Sequence, residues 1–231
     1  MRRATYILLS VLVLVIGFEL MQIAGEDTTF TSALSNIAFR NNFHTVVEGR
    51  FFRSAEMPPD ELERVYREHG VRTVLDLRLG AENAEALTIA ERLRVEQLGG
   101  DYVHFPLRGS RVPTHEQMRE LISILDNAKT PVLVHCTSGS HRSGLVAAVW
   151  LMTQEGQSVD VAKGQLAPVF GFFRFERALK SYIQGHPTLD NLLWIFESKS
   201  RETGISFREW VGWESEKSQA QSREAPDDRA S

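Results

Sequence analysis

The segment of residues 131–150 constrains the fold of this chain more than any other. It begins with an apolar run at residues 131–134 that is typical of a buried strand. It ends with an equally apolar run at residues 145–150 that is typical of a buried helix. The ten residues between them include Cys136, the only cysteine of the chain. A strand that passes into a helix through such a short loop predicts an α/β fold, with the loop at the carboxyl edge of the sheet.

The loop has the composition of an anion cradle that contains a nucleophile. Cys136 and Arg142 stand six positions apart, and the residues between them are Thr137, Ser138, Gly139, Ser140 and His141. Their backbone N–H groups can surround a phosphate, and the following helix adds the positive end of its dipole. The same field lowers the pKa of a thiol, and an arginine binds two phosphoryl oxygens at once. A lone cysteine is often only a small buried hydrophobe, but this combination favours phosphoryl transfer.

The pattern His-Cys-x-x-Gly-x-x-Arg-Ser-Gly at residues 135–144 resembles the signature of the protein tyrosine phosphatase superfamily, in particular its dual-specificity branch. Residues 49–54, 71–78 and 103–107 are similar to stretches of the bacterial members of that branch. The resemblance covers roughly residues 40–185. It implies one domain with a mostly parallel central sheet of about four to five strands, flanked by helices. It also implies a phosphatase that forms a cysteinyl-phosphate and uses no cofactor.

The hydrophobic pattern supports that architecture because strand and helix signals alternate along the chain. Strands are predicted at residues 50–53, 71–77, 102–105 and 132–135. Helices are predicted at residues 58–69, 81–98, 114–127, 143–153, 159–166, 172–184 and 189–198, and from about residue 206. Thr114 and Gln117 are spaced as a capping box.

Three neighbours of the cysteine and the arginine are assigned roles. Ser143 can hydrogen-bond the thiolate and ease its departure from phosphorus, and it can also cap the helix. His135 is expected to orient the loop by hydrogen bonding from beneath it, rather than to carry protons. His141 either projects to the pocket rim, where it would favour a substrate with further negative charge, or is an exposed loop histidine.

The general acid is unknown at this stage. Members of the family usually protonate the leaving oxygen with an aspartate on a loop ahead of the cysteine, but residues 107–116 contain no Asp. Ser110 stands near the expected position, and Glu116 and His115 are the remaining candidates. Loss of a general acid costs about 10² to 10⁴ in rate and matters most for alkyl phosphates.

Four arginines are candidates for further anion contacts. Arg108 and Arg111 make the same loop basic, and we expect this pair to contact the substrate. Arg53 and Arg78 fall at strand ends near the predicted site. For each of the four taken singly, ordinary solvated charge is the alternative.

Composition limits the partners and ligands. A net charge of −4 gives no basic field for nucleic acid. One cysteine excludes an intrachain disulfide and a cysteine-based zinc cluster, and the seven histidines show no metal-ligand spacing, so no metal is predicted. The expected partner is a phosphorylated protein or a small phosphorylated molecule.

The two ends of the chain differ from the domain between them. Residues 1–25 contain Arg2 and Arg3 followed by an apolar run, which is typical of a membrane anchor or a signal peptide. Gln22 fits the small-x-small cleavage pattern poorly, so an uncleaved anchor is favoured over secretion to the periplasm after cleavage. The phosphatase domain, residues 26–213, is then extracytoplasmic, and periplasmic in a bacterium. Residues 214–231 are predicted to be a disordered polar tail.

Three functions remain open from the sequence alone. The leading hypothesis is a phosphatase for protein phosphotyrosine, with phosphoserine and phosphothreonine as further substrates. The second is a phosphatase for inositol-phosphate-like molecules or phospholipids. The third is a catalytically impaired module that only binds phosphorylated ligands, suggested by the missing aspartate.

Overall fold

A sheet of short strands forms the centre of the computed structural model, which describes residues 41–79 and 82–212. The five strands found there are β1 (His44–Val47), β2 (Phe51–Ala55), β3 (Thr73–Asp76), β4 (Asp101–His104) and β5 (Val132–Cys136). Their order across the sheet is β1-β2-β5-β3-β4. Strand β1 runs antiparallel to β2, and every other neighbouring pair is parallel. Strand β5, which ends in the cysteine, is therefore central.

Helices cover both faces of this sheet. They are α1 (Pro59–Glu68), α2 (Glu82–Gln97), α3 (His115–Asn127), α4 (Arg142–Thr153), α5 (Val159–Ala162), α6 (Arg174–Gln184), α7 (Asn191–Thr203) and α8 (Phe207–Trp210). Short 3-10 turns lie at Lys163–Gln165 and Pro168–Phe170. Side chains of α1 and α2 pack on one face in the smaller apolar cluster, and those of α3, α4 and α7 pack in the larger one.

The alternation of side chains along β5 decides which residues reach which layer. Val132, Val134 and Cys136 belong to the larger cluster. Leu133 belongs to the smaller cluster beneath α1 and α2. Because successive strand residues point to opposite faces, His135 shares the α1/α2 face with Leu133 and is turned away from Cys136.

The predicted α/β class is confirmed: the sheet has five strands where about four to five were predicted. The capping box is also confirmed, and in it the Gln117 amide donates to Thr114 Oγ1 at 3.2 Å. Two local predictions were wrong. Strand β1 was missed because it is four residues long and only partly buried at the sheet edge. The helix predicted at 159–166 is a four-residue helix followed by a 3-10 turn.

The predicted anchor at residues 1–25 and the predicted tail at 214–231 lie outside the described residues. Within the described part, no helix combines the length and apolar character needed to span a membrane.

Candidate active site

The loop of residues 137–141 joins the last residue of β5 to the first residue of α4, so it places Cys136 and Arg142 at its two ends. The loop lies at the carboxyl edge of the sheet, where Ala55 of β2 is the register partner of Cys136. Both Cys136 and Arg142 are almost fully buried. The sequence therefore folds locally as its strand–loop–helix pattern predicts.

The thiol of Cys136 is surrounded by groups that favour its anion. The Gly139 amide donates to Sγ at 3.2 Å, and Ser143 Oγ lies 3.6 Å from Sγ. Burial opposes ionisation, but the Arg142 charge and the hydrogen bonds from Ser143 and Gly139 outweigh it. The pKa of Cys136 is consequently lowered, so its nucleophilic form is favoured.

Arg142 is held by groups on both sides of the site. Its Nη1 donates to the Leu77 carbonyl at 3.2 Å, and its Nη2 donates to Thr137 Oγ1 at 3.1 Å. A guanidinium fixed in this way needs little ordering when it binds the equatorial oxygens of a phosphoryl group.

Gly139 is required by its surroundings. Its φ is +73°, and a Cβ there would lie 2.6 Å from the Ala55 nitrogen and 2.8 Å from the Ser54 carbonyl carbon. Both neighbours are backbone atoms of β2, so they cannot move aside as a flexible side chain would. The loop is thus pressed directly on the adjacent strand, in a conformation that glycine adopts without strain.

Arg53 lies beneath the loop, fully buried, and is the main residue whose role the sequence did not reveal. Its Nη2 donates to the Gly139 carbonyl at 2.7 Å and to the Ser140 carbonyl at 3.1 Å, and its guanidinium lies 4.3 Å from the Phe170 ring centre. Burial lowers the pKa of Arg53 to about 9, although attraction to Cys136 opposes that change. Arg53 thus anchors the loop from below instead of contacting solvent or substrate.

Asn42 is a second anchor that sequence reasoning missed. Its side-chain amide donates to the Ser138 carbonyl and to the Phe170 carbonyl, both at 3.0 Å. Together with Arg53 it binds three consecutive loop carbonyls, those of residues 138–140. Because Asn42 and Arg53 hold these carbonyls on the outer side of the loop, the backbone N–H groups of the loop can point inward, toward a bound anion.

A comparison with known families identifies this site. Residues 35–177 match the family model described as "DSP-PTPase phosphatase fused to NAD+ Kinase", which covers more than half of the chain. The chain belongs to this dual-specificity phosphatase family. The predicted membership of the protein tyrosine phosphatase superfamily is therefore confirmed, and the chain is a phosphatase by family.

Individual relatives of this phosphatase are more distant. It is 32% identical over 108 residues to the tyrosine-protein phosphatase cdc-14 of Caenorhabditis elegans, a match that covers 47% of this chain and 14% of that relative. The crystal structure of TpbA from P. aeruginosa is 20% identical, covers 69% of this chain and 92% of its own, and has a TM-score of 0.49. The catalytic core of the PP-IP phosphatase SIW14 from S. cerevisiae is 19% identical, covers 72% and 96%, and has a TM-score of 0.47.

His141 does not lie at the rim of the phosphatase site. It is 1% exposed, and its ring packs edge-on against Phe172, with 5.6 Å between the ring centres. Both expectations for its side chain, a rim contact and an exposed loop histidine, were therefore wrong. Phe172, in the segment that precedes α6, packs on the His141 ring, and the backbone N–H of His141 remains part of the loop that forms the cradle.

The expectation that His135 supports the loop by hydrogen bonding from beneath was wrong. Its Nε2 lies 2.7 Å from a Glu91 oxygen of α2 and 3.8 Å from an Asp76 oxygen of β3, on the face of the sheet opposite to Cys136. Burial lowers the pKa of His135, but the charges of Glu91 and Asp76 outweigh it and raise the pKa overall. His135 is thus part of an ionic cluster under α2 rather than a hydrogen-bonding support of the loop.

Arg78 completes that ionic cluster. Its guanidinium donates to Asp76 at 2.8 Å and also binds Glu91, so it is not a substrate contact. Donor atoms of Asp76, Glu91 and His135 lie within 4.8 Å of one another, as ligands of a metal would. Because Arg78 and His135 together pair with both carboxylates, we infer no metal there.

The loop that precedes α3 carries the remaining candidates. Arg108 and Arg111 are exposed, Ser110 is half-buried, and residues 107–114 contain no acidic residue. Glu116 is exposed in the first turn of α3, while the exposed His115 packs its ring against Trp210 of α8, with 4.5 Å between the ring centres. That packing directs His115 toward the C-terminal helices. The structure therefore assigns no general acid on this loop.

Proposed function

We propose that this chain is a cysteine-dependent phosphatase that hydrolyses phosphotyrosine in proteins, with phosphoserine and phosphothreonine as slower substrates. The observation that carries the proposal is the environment of Cys136 Sγ, which accepts from the Gly139 amide at 3.2 Å beside Arg142. A thiol with a lowered pKa at the floor of an anion cradle is the arrangement that nucleophilic attack on phosphorus requires.

The reaction takes two steps in this site. In the first, Cys136 Sγ forms a bond to phosphorus while the bond to the ester oxygen breaks, and Arg142 with the loop N–H groups binds the equatorial oxygens. In the second, water attacks the cysteinyl-phosphate, and the S–P bond breaks to release inorganic phosphate. The Ser143 hydroxyl, 3.6 Å from Sγ, is placed to stabilise the thiolate that departs.

The preference for tyrosine follows from the leaving group. No carboxylic acid is present in residues 107–114 to protonate the ester oxygen. A tyrosine leaves as a phenolate whose conjugate acid has a pKa of about 10, so it needs less help from an acid than an alkoxide does. Phosphotyrosine is therefore the substrate that this site is best suited to cleave.

A phosphatase of inositol-phosphate-like or phospholipid substrates is the second candidate. It is favoured by the exposed Arg108 and Arg111 on the loop next to the cradle. The third hypothesis, a module that only binds phosphorylated ligands, is less favoured because binding alone would not require a thiol with a lowered pKa.

A turnover assay tests the proposal. The full chain, purified in detergent, is compared with Cys136→Ser and Arg142→Ala on 4-nitrophenyl phosphate, a phosphotyrosine peptide and an inositol phosphate. We expect the wild type to hydrolyse the first two and both variants to be nearly inactive. A wild type no faster than Cys136→Ser on all three would favour the binding module, and a clear preference for the inositol phosphate would favour the second candidate.

We also propose that the catalytic domain acts on the extracytoplasmic side of a membrane. The basic and apolar pattern of residues 1–25 supports this placement. A reporter that is active only in the periplasm, fused to the C-terminus, should be active in a bacterial host. A fusion that is stably produced but silent would refute the placement.

A further inference from the structure

A basic cleft lies between the loop that precedes α3 and the end of α6. Its volume is about 550 Å³, and it is lined by Arg108, Ser110, Arg111, Gln184 and His186. We refer to it as the loop cleft. None of its lining residues belongs to the cradle of residues 136–142, so it is separate from the cradle. The loop follows β4, which is parallel to β3 and β5, so the loop and the cradle both lie at the carboxyl edge of the sheet.

The described side chains do not neutralise the positive charge of the loop cleft. Among the carboxylates whose side chains the structure describes, none lies within 4.0 Å of the guanidinium of Arg108 or Arg111. Other arginines of the fold are paired, such as Arg177 with Asp190 at 2.9 Å and Arg208 with Asp126 at 2.6 Å. Two unpaired guanidinium groups in one cleft favour binding of an anion.

The backbone between the two arginines is held in place. The Gly109 carbonyl accepts from Arg177 Nη2 at 2.7 Å and from the Leu189 amide at 3.2 Å. Arg177 is in turn fixed by the buried Asp190. A cleft that is built on an anchored backbone loses less conformational entropy when it binds a ligand.

The loop cleft is also connected to the catalytic arginine. The Leu77 carbonyl accepts from Arg142 Nη1 and from the Leu107 amide, each at 3.2 Å. These two bonds place the Cα atom of Arg108 at most about 11 Å from the Arg142 guanidinium. One substrate can therefore occupy the cradle and the loop cleft at the same time.

We propose that the loop cleft binds an aspartate or glutamate carboxylate that flanks the phosphotyrosine of a peptide substrate. The inference rests on the proposed function and adds the substrate class. A group bound outside the cradle must be carried at some distance from the phosphate. A side chain that flanks the phosphotyrosine of a protein substrate meets that condition.

The test compares two phosphotyrosine peptides of equal length, one with acidic residues beside the tyrosine and one with the matching amides. The measured quantity is the ratio of their kcat/KM values. For the wild-type full chain we expect the acidic peptide to be preferred about three- to thirty-fold, the range for two exposed ion pairs. The preference should fall toward one in Arg108→Ala/Arg111→Ala, and it should weaken as salt rises.

Arg72→Ala is the matched control because Arg72 is also exposed and has no ion-pair partner among the described residues. It lies next to β3 at the amino edge of the sheet, where its amide donates to the Pro131 carbonyl at 2.8 Å. The ratio of kcat/KM for the acidic and the amide peptide should be the same in Arg72→Ala as in the wild type. A wild-type ratio near one, or a ratio that the double variant keeps, overturns the proposal.

Binding to the Cys136→Ser protein separates this inference from the proposed function. Titration with the two peptides, followed by fluorescence anisotropy, should show the acidic preference and its loss when Arg108→Ala and Arg111→Ala are added. If that preference is present but the wild type hydrolyses neither peptide, the proposed function fails and the loop cleft stands. If hydrolysis occurs without any binding preference, the loop cleft fails and the phosphatase stands.

Discussion

Two loops meet at the carboxyl edge of the sheet, and they are held in different ways. In the cradle loop, three consecutive carbonyls are bound by Asn42 and Arg53, and most side chains are buried. In the loop that precedes α3, the Gly109 carbonyl is anchored, but Arg108 and Arg111 face solvent. We propose that this difference divides two tasks, in which the cradle supplies a fixed phosphate chemistry and the neighbouring loop selects the substrate.

The largest expected effects test the chemistry of the cradle. Cys136→Ser should lower kcat on 4-nitrophenyl phosphate by about 10⁴-fold or more, since it removes the nucleophile. Arg142→Lys should lower it by about 10²- to 10³-fold, because an ammonium group cannot bind two phosphoryl oxygens in parallel. Arg67→Lys on the exposed surface of α1 is the control and should retain full activity. An active Cys136→Ser protein would refute the cysteinyl-phosphate mechanism.

Arg53 tests whether the cradle depends on its buried anchor. Arg53→Met should leave the Gly139 and Ser140 carbonyls unsatisfied, at a cost of about 1–3 kcal/mol each in the free energy of unfolding. It also removes a cation near Cys136, so the acid limb of the kcat/KM profile should move to higher pH.

Arg53→Lys keeps the charge and should restore most of the pH profile but not the stability, because an ammonium group cannot reach all of the same acceptors. Circular dichroism at the assay temperature verifies that each variant is folded. If Arg53→Met and the wild type gave the same acid limb, Arg53 would be a structural residue without influence on the thiol.

Gly139 tests the contact between the cradle loop and β2. Gly139→Ala places a Cβ 2.6 Å from a backbone nitrogen at a φ of +73°, so it should lower both the melting temperature and kcat, the latter by about tenfold or more. Gly156→Ala is the matched control, with a φ of +63° and no atom within 4 Å of its Cβ. It should cost only about 1 kcal/mol of stability and leave kcat unchanged. Equal effects of the two substitutions would mean that the contact with β2 is unimportant.

The residues whose placement can be predicted from the sequence are those that lie within one local segment. The spacing of Cys136, Gly139, Arg142 and Ser143 within eight residues specifies the cradle because their positions follow from one loop and one helix. Arg53, by contrast, bonds a carbonyl 86 positions away, which a local pattern does not contain. Its position within a fully buried strand was still informative, since a buried charge requires buried partners.

The error for His135 has a different origin. Its sequence neighbour Cys136 suggested a role at the loop, but adjacent strand residues point to opposite faces of the sheet. The period of the strand was available in the sequence and predicts the observed separation. The position of His141 under Phe172 was not available, because it depends on how the segment before α6 returns across the loop.

Ser110 tests the second of the two loops, the loop that precedes α3, which has no acidic residue at residues 107–114. If the loop supplies no proton donor, Ser110→Asp should raise kcat/KM on an alkyl phosphate by about tenfold or more and change the aryl phosphate much less. Ser110→Asn has a similar shape without the acid and should give no gain. Unchanged rates in both variants would mean that another residue already protonates the leaving group. The pH profiles of Glu116→Gln and His115→Ala would then show which one.

The smallest expected effect concerns His135, which links stability, but not activity, to pH. The raised pKa of His135 means that its pairing with Glu91 stabilises the fold fully below pH 6.5, the ordinary value, and is lost as pH rises through the raised value. The free energy of unfolding should therefore begin to fall above about pH 6.5, by at most about 1.4 kcal/mol per pH unit for one proton. Over the same range the thiolate fraction of Cys136 does not fall, because deprotonation of a thiol increases with pH. Urea titrations of the wild type and of His135→Gln between pH 6 and 9, with the exposed His115→Gln as control, measure the slope. A slope that survives in His135→Gln would show that the α2 face of the sheet does not control alkaline stability, and that the ionic cluster there is only a packing feature.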